Sequence, residues 1–383
     1  MERVDEIVWG RPVMEIHPLR LLLKALILYL FANLAFAYFD PPIGKLSIYN
    51  WLVPGRERVP YEREVDYYLI AHTVPVYEDM DAMYASHLLS RPKQDDEFRV
   101  ILLGDSSTWG FELHPHETLA GLLNSLRLEA CDGRRIVVYN AAFPLPYAMK
   151  DLLVMDKVRQ YAPDLYLWTV TLDTFRNRSV YTRYFLVPYA ERVYELVEEY
   201  EIRNLDTRDV RESTFWEQTI IGQRALLKRM LLLQLHGLGW SATGLDYYYL
   251  DYPPLSVDQK DSILYDSLGP GELDLNSFLF DVLGAAYEHA GDVPLLVVNE
   301  PIFIASGINS DIRYNDIHPR WAYDEYLEYL DAWMMRHDQD YINAWNAVPS
   351  SEFTNMALHR TPQGEKILAE MIVPKLEEMT CTK

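Results

Sequence analysis

Apolar residues run without interruption at one place in the chain. From Leu19 to Phe39 it reads LRLLLKALILYLFANLAFAYF, with Arg20 and Lys24 the only charges. A helix of about 20 mostly apolar residues crosses the hydrocarbon core of a bilayer, so 19–39 is expected to span one. Arg20 and Lys24 can snorkel to the near headgroups, Tyr38 suits the far interface, and Asp40-Pro41-Pro42 stops the helix. Arg3 and Arg11 precede the span. Counting Arg20 and Lys24, four basic residues lie at or before its start, against three (Lys45, Arg56, Arg58) just after it. That bias predicts residues 1–18 on the cytoplasmic side and the bulk of the chain outside. Ala35-Phe36-Ala37 has the form of a signal-cleavage site, but acidic Glu2, Asp5, Glu6 and Glu15 in the leading region favour an uncleaved anchor.

Past the span the pattern alternates. Residues 40–97, rich in Pro, Tyr and charge, read as a stalk or linker. Arg99–Leu103, Ile136–Tyr139, Leu165–Val170 and Pro294–Asn299 are short apolar runs of the kind that form buried parallel strands. Glu117–Ala130, Ala148–Tyr161, Asn276–Ala290 and Pro362–Met379 carry helical periodicity. Strands alternating with helices predict an α/β domain over 98–383, with a parallel sheet covered on both faces. Residues 176–275 break the rhythm and read as a mainly helical insertion. In it Arg224, Lys228 and Arg229 lie beside Leu226, Leu227, Met230 and Leu231–Leu233. We expect that helix to pack on the domain with its charges in water; the alternative for a tethered protein is to lie on the bilayer surface. Its apolar run is too short for a second span.

Composition excludes more than it identifies. The 383 residues hold 35 basic and 57 acidic side chains, a formal charge of −22. Such a chain is a poor match to nucleic-acid phosphates, which need clustered Lys and Arg. Two cysteines cannot make a four-thiolate zinc site, and no motif asks for a cofactor. His114 and His116 have only Glu112 and Glu117 near them in sequence, so we expect no metal there.

The candidate chemistry lies at strand ends. Gly104-Asp105-Ser106 follows the first predicted strand and precedes a helix, where ligands bind in open α/β sheets. There the Ser106 hydroxyl and its own N–H face one space. Near the other end, His359 sits in a loop before Thr361-Pro362, which opens the last helix. A His so placed can take the proton that a serine nucleophile must lose.

With these residues the chain resembles the SGNH (GDSL-type) hydrolases, over roughly 98–175 and 293–376. The resemblance implies a flavodoxin-like three-layer α/β/α domain and serine-esterase or O-acyl transferase chemistry on envelope glycan or lipid esters through an acyl-Ser106 intermediate. Ser106 would be nucleophile and one oxyanion donor, and His359 general base. It also implies partnership with a membrane-bound O-acyltransferase, since tethered members of the family often work in such pathways.

Three positions depart from the pattern. Where the second motif has a Gly, this chain has Asn140-Ala141-Ala142, and Ala142 can still offer an N–H. The third motif ends in an Asn that donates to the oxyanion; here Asp173 stands in that stretch, and a carboxylate cannot donate. The family's Asp three before the His is Met356. Asn355 is the nearest orienter, with Asp311 and Asp316 as carboxylates on another loop. Asp105 and Glu300, the latter closing the fourth strand, are further cleft candidates. A catalytically degenerate scaffold subunit is the competing reading. In a flavodoxin-like domain the first and last helices lie side by side, which would bring Cys131 and Cys381 to one edge, close enough for a disulfide in an exported domain.

Overall fold

The computed structural model describes residues 17–46, 55–59, 80–177, 185–243 and 254–381. Five strands form one sheet: β1 (Glu97–Leu103), β2 (Arg135–Asn140), β3 (Leu165–Val170), β4 (Leu295–Asn299) and β5 (Tyr341–Asn343). All neighbours are parallel, in the order β2-β1-β3-β4-β5. The helices are α1 (Pro18–Phe39), α2 (Met80–Ala85), α3 (Ser106–Trp109), α4 (Leu119–Ser125), α5 (Ala148–Val158), α6 (Ala190–Glu199), α7 (Arg224–Thr243), α8 (Phe280–Ala290), α9 (Arg320–Arg336) and α10 (Pro362–Met379).

Every residue of β1, β3 and β4 is buried, whereas edge strands β2 and β5 are partly open. That is why the central strands read as unbroken apolar runs. Alternate residues then sort onto two layers. Val100, Leu102, Leu167 and Val298 pack with Leu119 and Leu123 of α4 and Leu368, Ile372 and Leu376 of α10. On the opposite face Trp168 meets Phe175 edge-on, and Phe175 stacks on Phe280 of α8 at 4.3 Å. Helix α5 lies against α8 and β1. The strand order is the doubly wound 2-1-3-4-5, whose switch point falls between β1 and β3.

Two expectations need correction. Part of 40–97 is integral to the domain: the Tyr84 hydroxyl donates to Ala141 O at 2.8 Å, and the Arg58 guanidinium lies 4.3 Å over the Trp109 ring. The sequence there reads as a stalk because several of its buried positions are polar, Arg56, Arg58 and His87 among them. Residues 47–54 and 60–79 of that stretch lie outside the described residues. In the insertion, α6 and α7 are joined by turns held by side chains, such as Asp281 accepting from the N–H groups of Arg203 and Asn204. Strand β5 and helix α9 also carry no clear sequence signal, β5 being three partly polar residues and α9 a helix with five aromatics.

Two compact units divide the chain. One comprises Met1–Pro41 with Ser213–Leu227, and the other Pro42–Glu212 with Lys228–Lys383. In the first, α1 is a helix of 22 residues, apolar and long enough to cross a membrane, with only Asn33 and Ala37 buried. Among the described residues α1 is the one helix long and apolar enough to span a membrane, consistent with a single-pass protein whose α/β domain lies outside the span.

In the second unit a disulfide joins Cys131, after α4, to Cys381, after α10, with their Cα atoms 5.1 Å apart. It closes a separation of 250 residues, and cross-links over long loops stabilise mainly by restricting the unfolded chain. Replacing either cysteine by Ser should lower stability by on the order of 2–5 kcal/mol, read as a lower Tm that reductant reproduces in the wild type but not in the variant.

Candidate functional site

The site begins with a turn that only glycine can make. Gly104 follows β1 at φ +153, and a Cβ there would lie 2.2 Å from Thr169 Oγ1 and 2.7 Å from Thr108 Oγ1. Those two hydroxyls are themselves hydrogen-bonded, tying the start of α3 to β3. Asp105 caps α3, accepting from Ser107 N–H and Ser107 Oγ, each at 2.9 Å. Ser106 therefore occupies the first position of the helix, where its N–H precedes any helical hydrogen bond. Buried Lys150 braces the turn from behind, donating to Gly104 O at 2.7 Å and Phe143 O at 3.0 Å.

His359 reaches this turn from the loop before α10. Its Nε2 lies 2.9 Å from Ser106 Oγ, and its Nδ1 lies 2.8 Å from Asn355 Oδ1. With the amide oxygen facing the ring, Nδ1 carries the hydrogen and Nε2 is left to accept from the serine. Phe111 stacks on the imidazole at 4.8 Å. Burial, followed by the neighbouring Arg360 charge, lowers the His359 pKa to about 3, so the ring is neutral over the physiological range.

Behind the pair is an ionic network that no local sequence pattern marks. Arg360, fully buried, donates to Glu300 Oε2 at 2.9 Å and to Glu365 Oε1 at 3.0 Å, linking the end of β4, the His359 loop and α10. Glu300 also touches the Ser107 hydroxyl through a short hydrogen bond. Burial and the nearby Asp105 charge push the Glu300 carboxyl up to about 8. A protonated Glu300 can donate to Ser107 Oγ, which then donates to Asp105. That order satisfies a hydroxyl that has one proton and two carboxylate neighbours. Asp105 and Glu300 are thus buried supports beneath Ser106 and do not line an open cleft.

The remaining candidates divide. Ala142 N–H is directed at Asn140 Oδ1 at 3.2 Å, so it is already engaged. Asp173 is engaged elsewhere: its Oδ2 is 2.9 Å from His318 Nε2 and its Oδ1 accepts from Tyr265 OH at 3.1 Å. The charge that would oppose an oxyanion is held in that buried pair. His318, Tyr265 and Arg360 carried no local signal, because each works through a partner distant in sequence. The partner of His359 Nδ1 is Asn355, not Asp311 or Asp316. His114 and His116 stack on each other, and the described residues contain no cluster of three or more His, Cys, Asp or Glu suited to a metal.

No known sequence family matches the chain. No curated protein matches it either. Among solved structures it is similar to a lipase/acylhydrolase from Enterococcus faecalis, with 11% identity over 73% of this chain and 96% of that one, TM-score 0.34. It is also similar to a gut microbial diltiazem-metabolizing enzyme (10% identity, 75% of this chain and 48% of that one, TM-score 0.35). A third is a carbohydrate acetylesterase family member from Sinorhizobium meliloti (10% identity, 74% and 99%, TM-score 0.33). All three likenesses are distant.

Glu300 makes stability depend on pH. Its folded pKa lies above its ordinary value of 4.5, so its contribution is full below 4.5 and is lost as pH rises toward about 8. Glu300→Gln keeps an acceptor for Arg360 and a donor for Ser107. The variant should therefore show a flatter fall of Tm across that window and a higher Tm than wild type at its upper end.

Proposed function

We propose that this chain is a membrane-anchored serine esterase or O-acyl transferase of the SGNH type, with its α/β domain outside the cytoplasm. One observation carries the reading: the Ser106 hydroxyl and His359 Nε2 lie at hydrogen-bond distance, with the far ring nitrogen held by Asn355. Ser106 Oγ attacks an ester carbonyl and passes its proton to Nε2. The new tetrahedral oxyanion lies before the N-terminus of α3, where Ser106 N–H can donate. Collapse expels the alcohol, which leaves with the proton from Nε2, and the acyl-Ser106 ester is then cleaved by water or by a sugar hydroxyl that His359 deprotonates. Substrates on envelope glycan or lipid, and partnership with a membrane-bound O-acyltransferase, rest on the family resemblance; the disulfide supports an oxidising compartment.

A second reading, a degenerate domain that binds without turning over, is favoured by the engaged Ala142 N–H and by an amide where a triad has a carboxylate. A fluorophosphonate probe separates the two. The esterase should label the full chain at Ser106, and labelling should vanish in Ser106→Ala and fall strongly in His359→Ala. A folded protein that resists the probe would leave the binding domain as the reading.

Asn355 also sets the rate. An amide orients the imidazole but cannot stabilise its protonated form. Asn355→Asp supplies that charge and should raise kcat by up to about 10⁴-fold, the loss that the reverse change causes in a serine protease. Because His359 acts as a base, wild-type activity should decline only as pH falls toward about 3. The new carboxylate should shift that acid limb upward, which a pH profile of kcat/KM reads.

A further inference from the structure

We propose that residues 213–227 form a second membrane-contacting element that enters the outer bilayer interface beside α1, and that the exposed face of α7 is itself suited to lipid. The decisive residue is Asn33. It lies within the apolar span, six positions before its end at Phe39, which at 1.5 Å per residue is about 9 Å along the helix. A side-chain amide at that level lacks water and must find partners in protein. Its Nδ2 donates to Tyr29 O at 2.8 Å, and its Oδ1 accepts from the backbone N–H of Ile221 at 3.0 Å. The Ile221 backbone is therefore at the depth of Asn33, and the loop that carries it is at membrane level.

That loop is built to hold its shape and turn its apolar groups outward. Glu217 accepts from Thr214 N–H and Oγ, each at 2.9 Å, and Thr219 Oγ1 donates to Trp216 O at 2.7 Å while accepting from Gly222 N–H at 3.0 Å. A Cβ at Gly222 would lie 2.4 Å from the carbonyls of Trp216 and Glu217, so the close backbone approach requires glycine. What the turn presents is apolar: Trp216 is 71% exposed, and Phe215 and Ile221 are exposed as well. An aromatic pair of this kind suits the headgroup boundary.

Helix α7 begins within this segment and carries a similar pattern of its own. Arg224, Lys228, Leu231, Leu235 and Leu238 are all exposed and fall at spacings of four, three, four and three, one face of a helix. Residues 213–238 hold Arg224, Lys228 and Arg229 against Glu217, a local charge of +2 in a chain of −22. Basic groups beside exposed leucines and a tryptophan are the signature of an interfacial element, and anionic lipid headgroups complement them. The proposal thus takes up the alternative reading of this helix, in which its basic and apolar groups meet the bilayer surface.

The test uses the full chain in phosphatidylcholine–phosphatidylglycerol vesicles. Both native cysteines are bonded to each other, so Trp216→Cys, Leu235→Cys and, as a control on the α/β domain, Leu126→Cys can each take an environment-sensitive fluorophore. Labels at 216 and 235 should lose most of their emission to doxyl-labelled lipids and resist aqueous iodide, with the reverse at 126. Adding Asn33→Ala should weaken lipid quenching at 216 without altering 126. Iodide quenching at 216 and 235 equal to the control would overturn the proposal. So would protection from both quenchers, which would mean that a protein partner covers the surface.

Discussion

The arrangement depends on a single buried cation. Arg360 follows His359 directly and reaches Glu300 at the end of β4 and Glu365 in α10. Isolated, a guanidinium in that position would carry a heavy desolvation penalty, which its bonds to the Glu365 and Glu300 carboxyl oxygens offset. With both partners present, the loop that carries the imidazole is held to the sheet by charge-assisted bonds that have few alternative geometries. Pairs like this do little for net stability, and their value here is positional. They hold the imidazole, 253 residues away in the chain, within hydrogen-bond distance of the serine.

A second constraint meets the first at Ser107. Gly104 lets β1 pass close to Thr169, Asp105 caps the short helix, and Ser107 joins that cap to Glu300. The serine turn and the histidine loop thus share one polar layer beneath the surface, so a change on either side is felt by the other. Lys150 closes the layer on the β2 side through backbone carbonyls. Nothing in this design needs the reacting residues to be held by loops alone.

What the sequence made legible follows from how local each signal is. The span, the central strands and α10 are long or fully buried, and their periodicity is strong. Ser106 and His359 stood out because each sits beside a structural signal, a strand–glycine turn and a Thr-Pro helix start. The ion network, the Asp173–His318 pair and the tie between Asn33 and Ile221 join residues 60, 145 and 188 positions apart, and no short motif records such distances. Polar residues such as Arg58 and His87 looked like linker because burial by hydrogen bonding leaves no hydrophobic pattern.

The covalent cross-link has a topological consequence. Ser106 and the membrane helix precede Cys131, while His359 lies between the two bonded cysteines. A protease that nicked the insertion would leave two polypeptides, one bearing the anchor and the hydroxyl, the other the imidazole. The sulfur bridge would still hold them as one molecule, so the bilayer would retain both halves of the site after the backbone had been severed.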